Sequence, residues 1–221
     1  RARWSTRVQF ASLGILSGAW GAHVPSIKQH FALTEVSLSV VLLFVALGVL
    51  FSLMFVGRVV ERLTARGAAL IGGLLISAAL AAMLHAPGFV LLLPIAFILG
   101  ASMSLFDVSI NADGTELEHV GGKPIMSNLH GMFSAGGMAG AALVALLLRL
   151  GMPAAEQLAL ISGVLAVVIV VASRGMLVTH STSDEPKQNF AWPRGLLLVV
   201  GLLILAGMIA EGVMYDWGVL Y

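Results

Sequence analysis

Seven apolar stretches constrain what this sequence can fold into. They cover residues 8–22, 36–56, 67–84, 89–106, 131–148, 157–173 and 195–214. A helix needs about 20 predominantly apolar residues to cross a bilayer core of about 30 Å, and its backbone groups must bond within the segment. Seven runs of 15 to 21 residues therefore read as membrane-crossing helices, and the fold expected is all-α. Apolar residues make up 59% of the chain and charged residues only 10%, where a soluble domain carries about 25% charged residues. A fold of 221 residues cannot hide that much apolar surface from water, which excludes a soluble enzyme or nucleic-acid binder. A net charge of +1 leaves no basic excess to neutralise phosphates. With no cysteine in the chain, disulfides, thiolate nucleophiles and cysteine metal sites are excluded too.

Proline-containing breaks at His23-Val24-Pro25, Ala86-Pro87-Gly88 and Gly151-Met152-Pro153 read as tight turns, because proline cannot continue a helix. Only 174–194 reads as a longer polar connection. Arg1, Arg3, Arg7, Arg58, Arg62, Arg66, Lys123, Arg174, Lys187 and Arg194 fall on one side of this arrangement, and Lys28 and Arg149 on the other. The bias of cations toward cytoplasmic loops then places the N-terminus in the cytoplasm. Asp113, Glu116 and Glu118 fall in the expected connection between the fourth and fifth spans, but the rule counts cations. The division expected is a six-helix transmembrane half (1–173), a central cytoplasmic loop (174–194) and the first helix of a second half (195–221). The chain opens on Arg1 and stops at Tyr221 within an apolar stretch, so it reads as a piece of something longer, unable to catalyse transport alone.

Between the second and third stretches stands Gly57-Arg58-Val59-Val60-Glu61-Arg62-Leu63-Thr64-Ala65-Arg66. It resembles the G-x-x-x-D-R-x-G-R-R motif of the major facilitator superfamily. Gly57, Arg62 and Arg66 match, Glu61 replaces Asp, and Thr64 and Ala65 depart from the usual Gly and Arg. Further on, Asp107-Val108-Ser109-Ile110-Asn111 and His130-Gly131-Met132-Phe133-Ser134-Ala135-Gly136 look like the motifs of an inner-membrane branch of that superfamily, the YbjJ type. Gly18-Ala19-Trp20-Gly21-Ala22-His23-Val24-Pro25 and Ala210-Glu211-Gly212-Val213-Met214-Tyr215-Asp216-Trp217 are similar to two more, with His23 where Arg or Thr is expected. The Asp107–Ala112 segment is more distantly similar to one in fucose permease, where Asp107 would take the place of a proton-handling glutamate. The resemblance implies a six-helix half plus helix 7 of a bacterial inner-membrane carrier. It also implies that Gly57, Glu61, Arg62 and Arg66 form a conformational switch.

Ionisable residues within the apolar stretches are the candidates for function, because charge at membrane depth is costly. Asp107 ends the fourth stretch and His130 opens the fifth, so antiparallel helices could bring them together and couple their protons. Asp107 could equally be the first interfacial residue, and His130 a packing residue. Glu211, deep in the seventh stretch, is a candidate for proton coupling or substrate contact, or an interfacial carboxylate. Asn111 and Asn128 offer donors and an acceptor to a hydroxylated solute, or brace the loop. Trp20 could stack on a sugar ring or belong to the interfacial aromatic belt, to which Trp217 is assigned. Gly136, Gly137 and Gly140 with Ala135 and Ala139 form a small-residue pattern that lets helices approach.

The function expected is secondary active transport of a small polar solute by alternating access, coupled to a proton through Asp107. A carrier running as an exporter and a membrane sensor or scaffold without flux are the alternatives. No catalytic residue, metal site or cofactor is expected beyond the proton itself. The partners are the solute and the bilayer, with no nucleic acid, and the oligomeric state is open.

Overall fold

The computed structural model describes residues 1–178 and 192–218. They form seven α-helices and no strand among the described residues: α1 (Ala2–His30), α2 (Glu35–Leu53), α3 (Val56–Ala82), α4 (Phe89–Gly121), α5 (Met126–Arg149), α6 (Ala154–Ser173) and α7 (Leu196–Trp217). A short 3-10 turn, Met83–His85, follows α3. The chain divides into two compact units, Arg1–Ser181 with α1–α6 and Thr182–Tyr221 with α7. Of the expected central loop, residues 179–191, and with them Lys187, lie outside the described residues.

Among the described helices, α2 to α7 are each long and apolar enough to cross a membrane by themselves; α1 is not. It is long enough, at 29 residues or about 43 Å, but it is less apolar because its neighbours are protein rather than lipid. It packs against α5, α6 and α4 and buries Gln9, Ser12, Ser17 and His23 along with its apolar residues. The first expected span is thus the inner helix of the first unit.

The turn expected at His23-Val24-Pro25 does not form, and α1 continues through Pro25 to His30. The missing N–H leaves one helical bond unmade, which a packed helix tolerates when neighbours hold it. The reversal comes later, at Ala32, whose φ is 49°. The N–H of Leu33 bonds the Lys28 carbonyl and that of Ala32 the Gln29 carbonyl, a left-handed closure that normally uses glycine. Gly151, with φ 80°, closes α5 by the same pair of bonds. Across the first turn Lys28 Nζ meets Glu35 Oε1 at 2.7 Å, the one ion pair among the described residues.

Two other connections are more helical than expected. The 57–66 segment belongs to α3, which resumes at Val56 and breaks only at Thr64 (φ 64°, ψ 160°). Thr64 is β-branched and sits in a region that almost only glycine visits, at the position where the resembled motif carries Gly. Its hydroxyl accepts the N–H of Gly67 at 3.3 Å, restarting the helix as an N-cap would. Likewise α4 runs to Gly121, four turns past its apolar stretch, so Asp113, Glu116 and Glu118 are helical and not in a loop. Glu118 Oε1 accepts the N–H groups of Ile125 (2.5 Å) and Met126 (2.8 Å), satisfying donors that the start of α5 leaves free.

The small residues expected to bring helices together do so. A Cβ on Gly136 would strike the carbonyl of Ala11, and one on Gly140 that of Ile15; from the other side, Gly14 faces the Phe133 carbonyl and Gly18 that of Gly137. The seam between α1 and α5 is therefore backbone against backbone. Gly48 and Gly100 set α2 against α4 in the same way.

Candidate functional site

One face of the first unit collects most of the singled-out polar residues. It is built by α4, α5 and the N-terminal third of α1. Asp107 and Asn111 stand four residues apart on α4, which puts them on one side of the helix. Asn111 Nδ2 donates to Asp107 Oδ1 at 3.1 Å and to its carbonyl at 2.9 Å. Asp107 is exposed, and the His130 imidazole on α5 acts electrostatically upon it. No hydrogen bond joins Asp107 and His130 among the described residues. His130 is also exposed, with its ring edge-on to Phe10 at 5.5 Å between centroids.

Asn128 lies one half-turn before His130 and accepts from Arg7 Nε at 2.8 Å. Arg7 in turn lies over the Trp4 ring at 5.1 Å, within cation–π range. Asp107 and the Asn111 amide thus stand near the His130 imidazole, while Asn128, about 200° round α5 from His130, pairs with the Arg7 guanidinium. Such a set can hold a proton and offer both donors and acceptors to a polar solute. Among the described residues no group of three His, Asp or Glu is arranged to hold a metal.

Other expected residues lie elsewhere. Trp20 is 3% exposed, within the core, so its ring presents no open surface in this structure. Gly57, Glu61 and Arg62 are exposed, and Arg66 is half-buried, around the break in α3; none of the charged three makes an ion pair among the described residues. Glu211 belongs to α7, about 22 Å along that helix from Leu196. Trp217 is the last residue of α7 and half-buried, while the Asp216 side chain lies outside what is described.

Two residues escaped the sequence reading. Arg7 entered it only as a cation in a topology count, although Trp4, Arg7 and Phe10 follow at helical spacing and mark one stripe of α1. Asp113 entered as a loop anion and is 1% exposed. Its Oδ2 accepts from Thr6 Oγ1 at 2.6 Å and its Oδ1 from the Leu177 N–H at 3.0 Å. The carboxylate thus ties α1, α4 and the chain leaving α6 into one knot. Beside it, Gln9 Nε2 donates to Ser173 Oγ at 2.9 Å, and Met176 is buried.

The chain is 30% identical over 220 residues to an uncharacterized MFS-type transporter of Yersinia pestis, covering 98% of this chain and 56% of that protein. The similarity is to MFS-type transporters. An uncharacterized transporter of Sinorhizobium fredii is 30% identical over 94% of this chain and 55% of its own length. The membrane protein MosC of Rhizobium meliloti is 28% identical over 96% and 52%. The chain thus spans about half the length of these relatives. No family profile matches it, and no solved structure does so significantly. The helices and the relatives together make this a multi-pass, all-α membrane protein related to MFS-type transporters, and none of the three relatives is named as an enzyme.

Proposed function

We propose that the chain supplies the first six-helix half, and the first helix of the second, of a secondary carrier in a bacterial inner membrane. The carrier moves a small polar solute by alternating access, with Asp107 as the coupling carboxylate. The supporting observation is that exposed Asp107 bonds half-buried Asn111 on α4 near His130 on α5. An ionisable group at membrane depth belongs on a face that meets water or substrate, and here that face also carries hydrogen-bonding groups suited to a hydroxylated solute. Alternating access comes from one six-helix half rocking against a second, which begins with α7 and Glu211. Protonation of Asp107 from one side and its release on the other drives the cycle.

Asp107→Asn in the full-length protein is the test, in vesicles with a panel of labelled solutes. Proton-driven accumulation should disappear while solute counterflow, which needs no net proton movement, persists. Unchanged accumulation would remove Asp107 from the coupling step. Ligand binding with no flux in either direction would favour a sensor, and proton-driven movement outward an exporter.

A further inference from the structure

Opposite the polar face, α2, α3 and α4 enclose an apolar groove of about 360 Å³. Phe51 from the end of α2, Phe55 from the connection before α3, Val59 and Leu75 from α3, and Phe97 and Leu105 from α4 line it. Phe51 stacks obliquely on both Phe55 and Phe97, at 5.1 and 5.5 Å between centroids. On α4 the groove stripe runs through Ile98, Ser102 and Leu105. At 100° per residue this stripe is roughly opposite Asp107 and Asn111. If the polar face meets the solute, the groove meets the hydrocarbon.

Beside the groove's Val59, the same short part of α3 carries Arg58, Glu61 and Arg62, two cations to one carboxylate. Val59 lies on the short first part of α3, whose Val56 and Val60 are buried against α4. Arg58 precedes Val59 and Arg62 follows it by one turn; both are exposed and neither makes an ion pair among the described residues. Two unpaired guanidiniums beside an aromatic-lined apolar slot match one chemistry, an anionic headgroup joined to a hydrocarbon chain.

We infer that this groove binds an anionic phospholipid, with an acyl chain among Phe51, Phe55 and Phe97 and the headgroup phosphate on Arg58 and Arg62. The site holds together the two parts of α3 that meet at Thr64.

The test uses the purified full-length protein in phosphatidylcholine nanodiscs doped with a photoactivatable lipid. Two probes carry the same diazirine acyl chain, one on phosphatidylglycerol and one on phosphatidylcholine, and labelled residues are mapped by mass spectrometry. Groove residues should be labelled more by the anionic probe, by about fivefold for each arginine engaged. Arg58→Gln with Arg62→Gln should reduce that labelling to the phosphatidylcholine level. Ser52→Trp, which fills the slot and leaves both arginines, should abolish labelling by both probes. Equal labelling by the two headgroups, an unchanged signal in the arginine variant, or a groove that no probe reaches because the rest of the protein covers it would each overturn the proposal.

Discussion

Asp113 shows how much a single buried carboxylate can organise. It accepts from a hydroxyl on α1 and from a backbone N–H in the segment after α6, so its loss leaves the Leu177 N–H without a partner. Thr6 is less exposed to this loss, because its hydroxyl also reaches the Ala2 carbonyl at 3.0 Å. An unsatisfied buried donor costs about 1–3 kcal/mol. Asp113→Leu should therefore loosen the chain where it leaves the bundle, and trypsin should cut after the exposed Arg174 about tenfold faster. Asp113→Asn retains an acceptor for Leu177 and should stay near the natural rate. Equal rates for all three proteins would show that the knot does not hold this segment.

At the scale of helices, the seam between α1 and α5 decides the packing. Gly136→Val puts a branched side chain into the Ala11 carbonyl and should destabilise the unit by about 1–3 kcal/mol through overpacking. Gly163→Ala on α6 meets nothing nearby and should be neutral or stabilising by up to about 1 kcal/mol. Thermal unfolding in detergent micelles distinguishes the two, and a tolerated Gly136→Val would refute the close approach. This seam was legible in the sequence, as were the helices themselves and the turns at 86–88 and 151–153, because each depends on local composition. The ends of helices were not. Hydropathy cannot follow α4 beyond Asp107, where polar residues belong to a helix leaving the hydrocarbon, and it cannot tell that Pro25 sits in a helix held by its neighbours. At the candidate face, Asp107, Asn111, Asn128 and His130 were visible as polar residues out of place. Arg7 and Asp113 were not, because their partners lie 121, 107 and 64 residues away and no local pattern records such distances.

For the whole molecule, we propose from the cation count that the N-terminus and the connections α2–α3 and α4–α5 face the cytoplasm. The chain contains no cysteine, so single cysteines placed in it report position with no background from its own residues. In intact cells whose outer membrane has been permeabilised, cysteines replacing Thr34 and Met152 should react with a membrane-impermeant maleimide. Cysteines replacing Met54 and Lys123 should react only after lysis. The reverse pattern would invert the topology, and with it the direction assigned to every step of the proposed cycle.

The inward position of α1 bears on how the protein is made. Gly14 rests against Phe133, a residue 119 positions later in the chain. At the usual pace of synthesis α1 waits on the order of 10 s for α5 to exist. Within that interval Thr6 gains its partner Asp113, but Gln9 waits longer still, until Ser173 and Met176 have been made. Helix α1 thus leaves the ribosome well before its seat against α5 exists, and a chaperone or insertase that shelters polar helices would act on it in that interval.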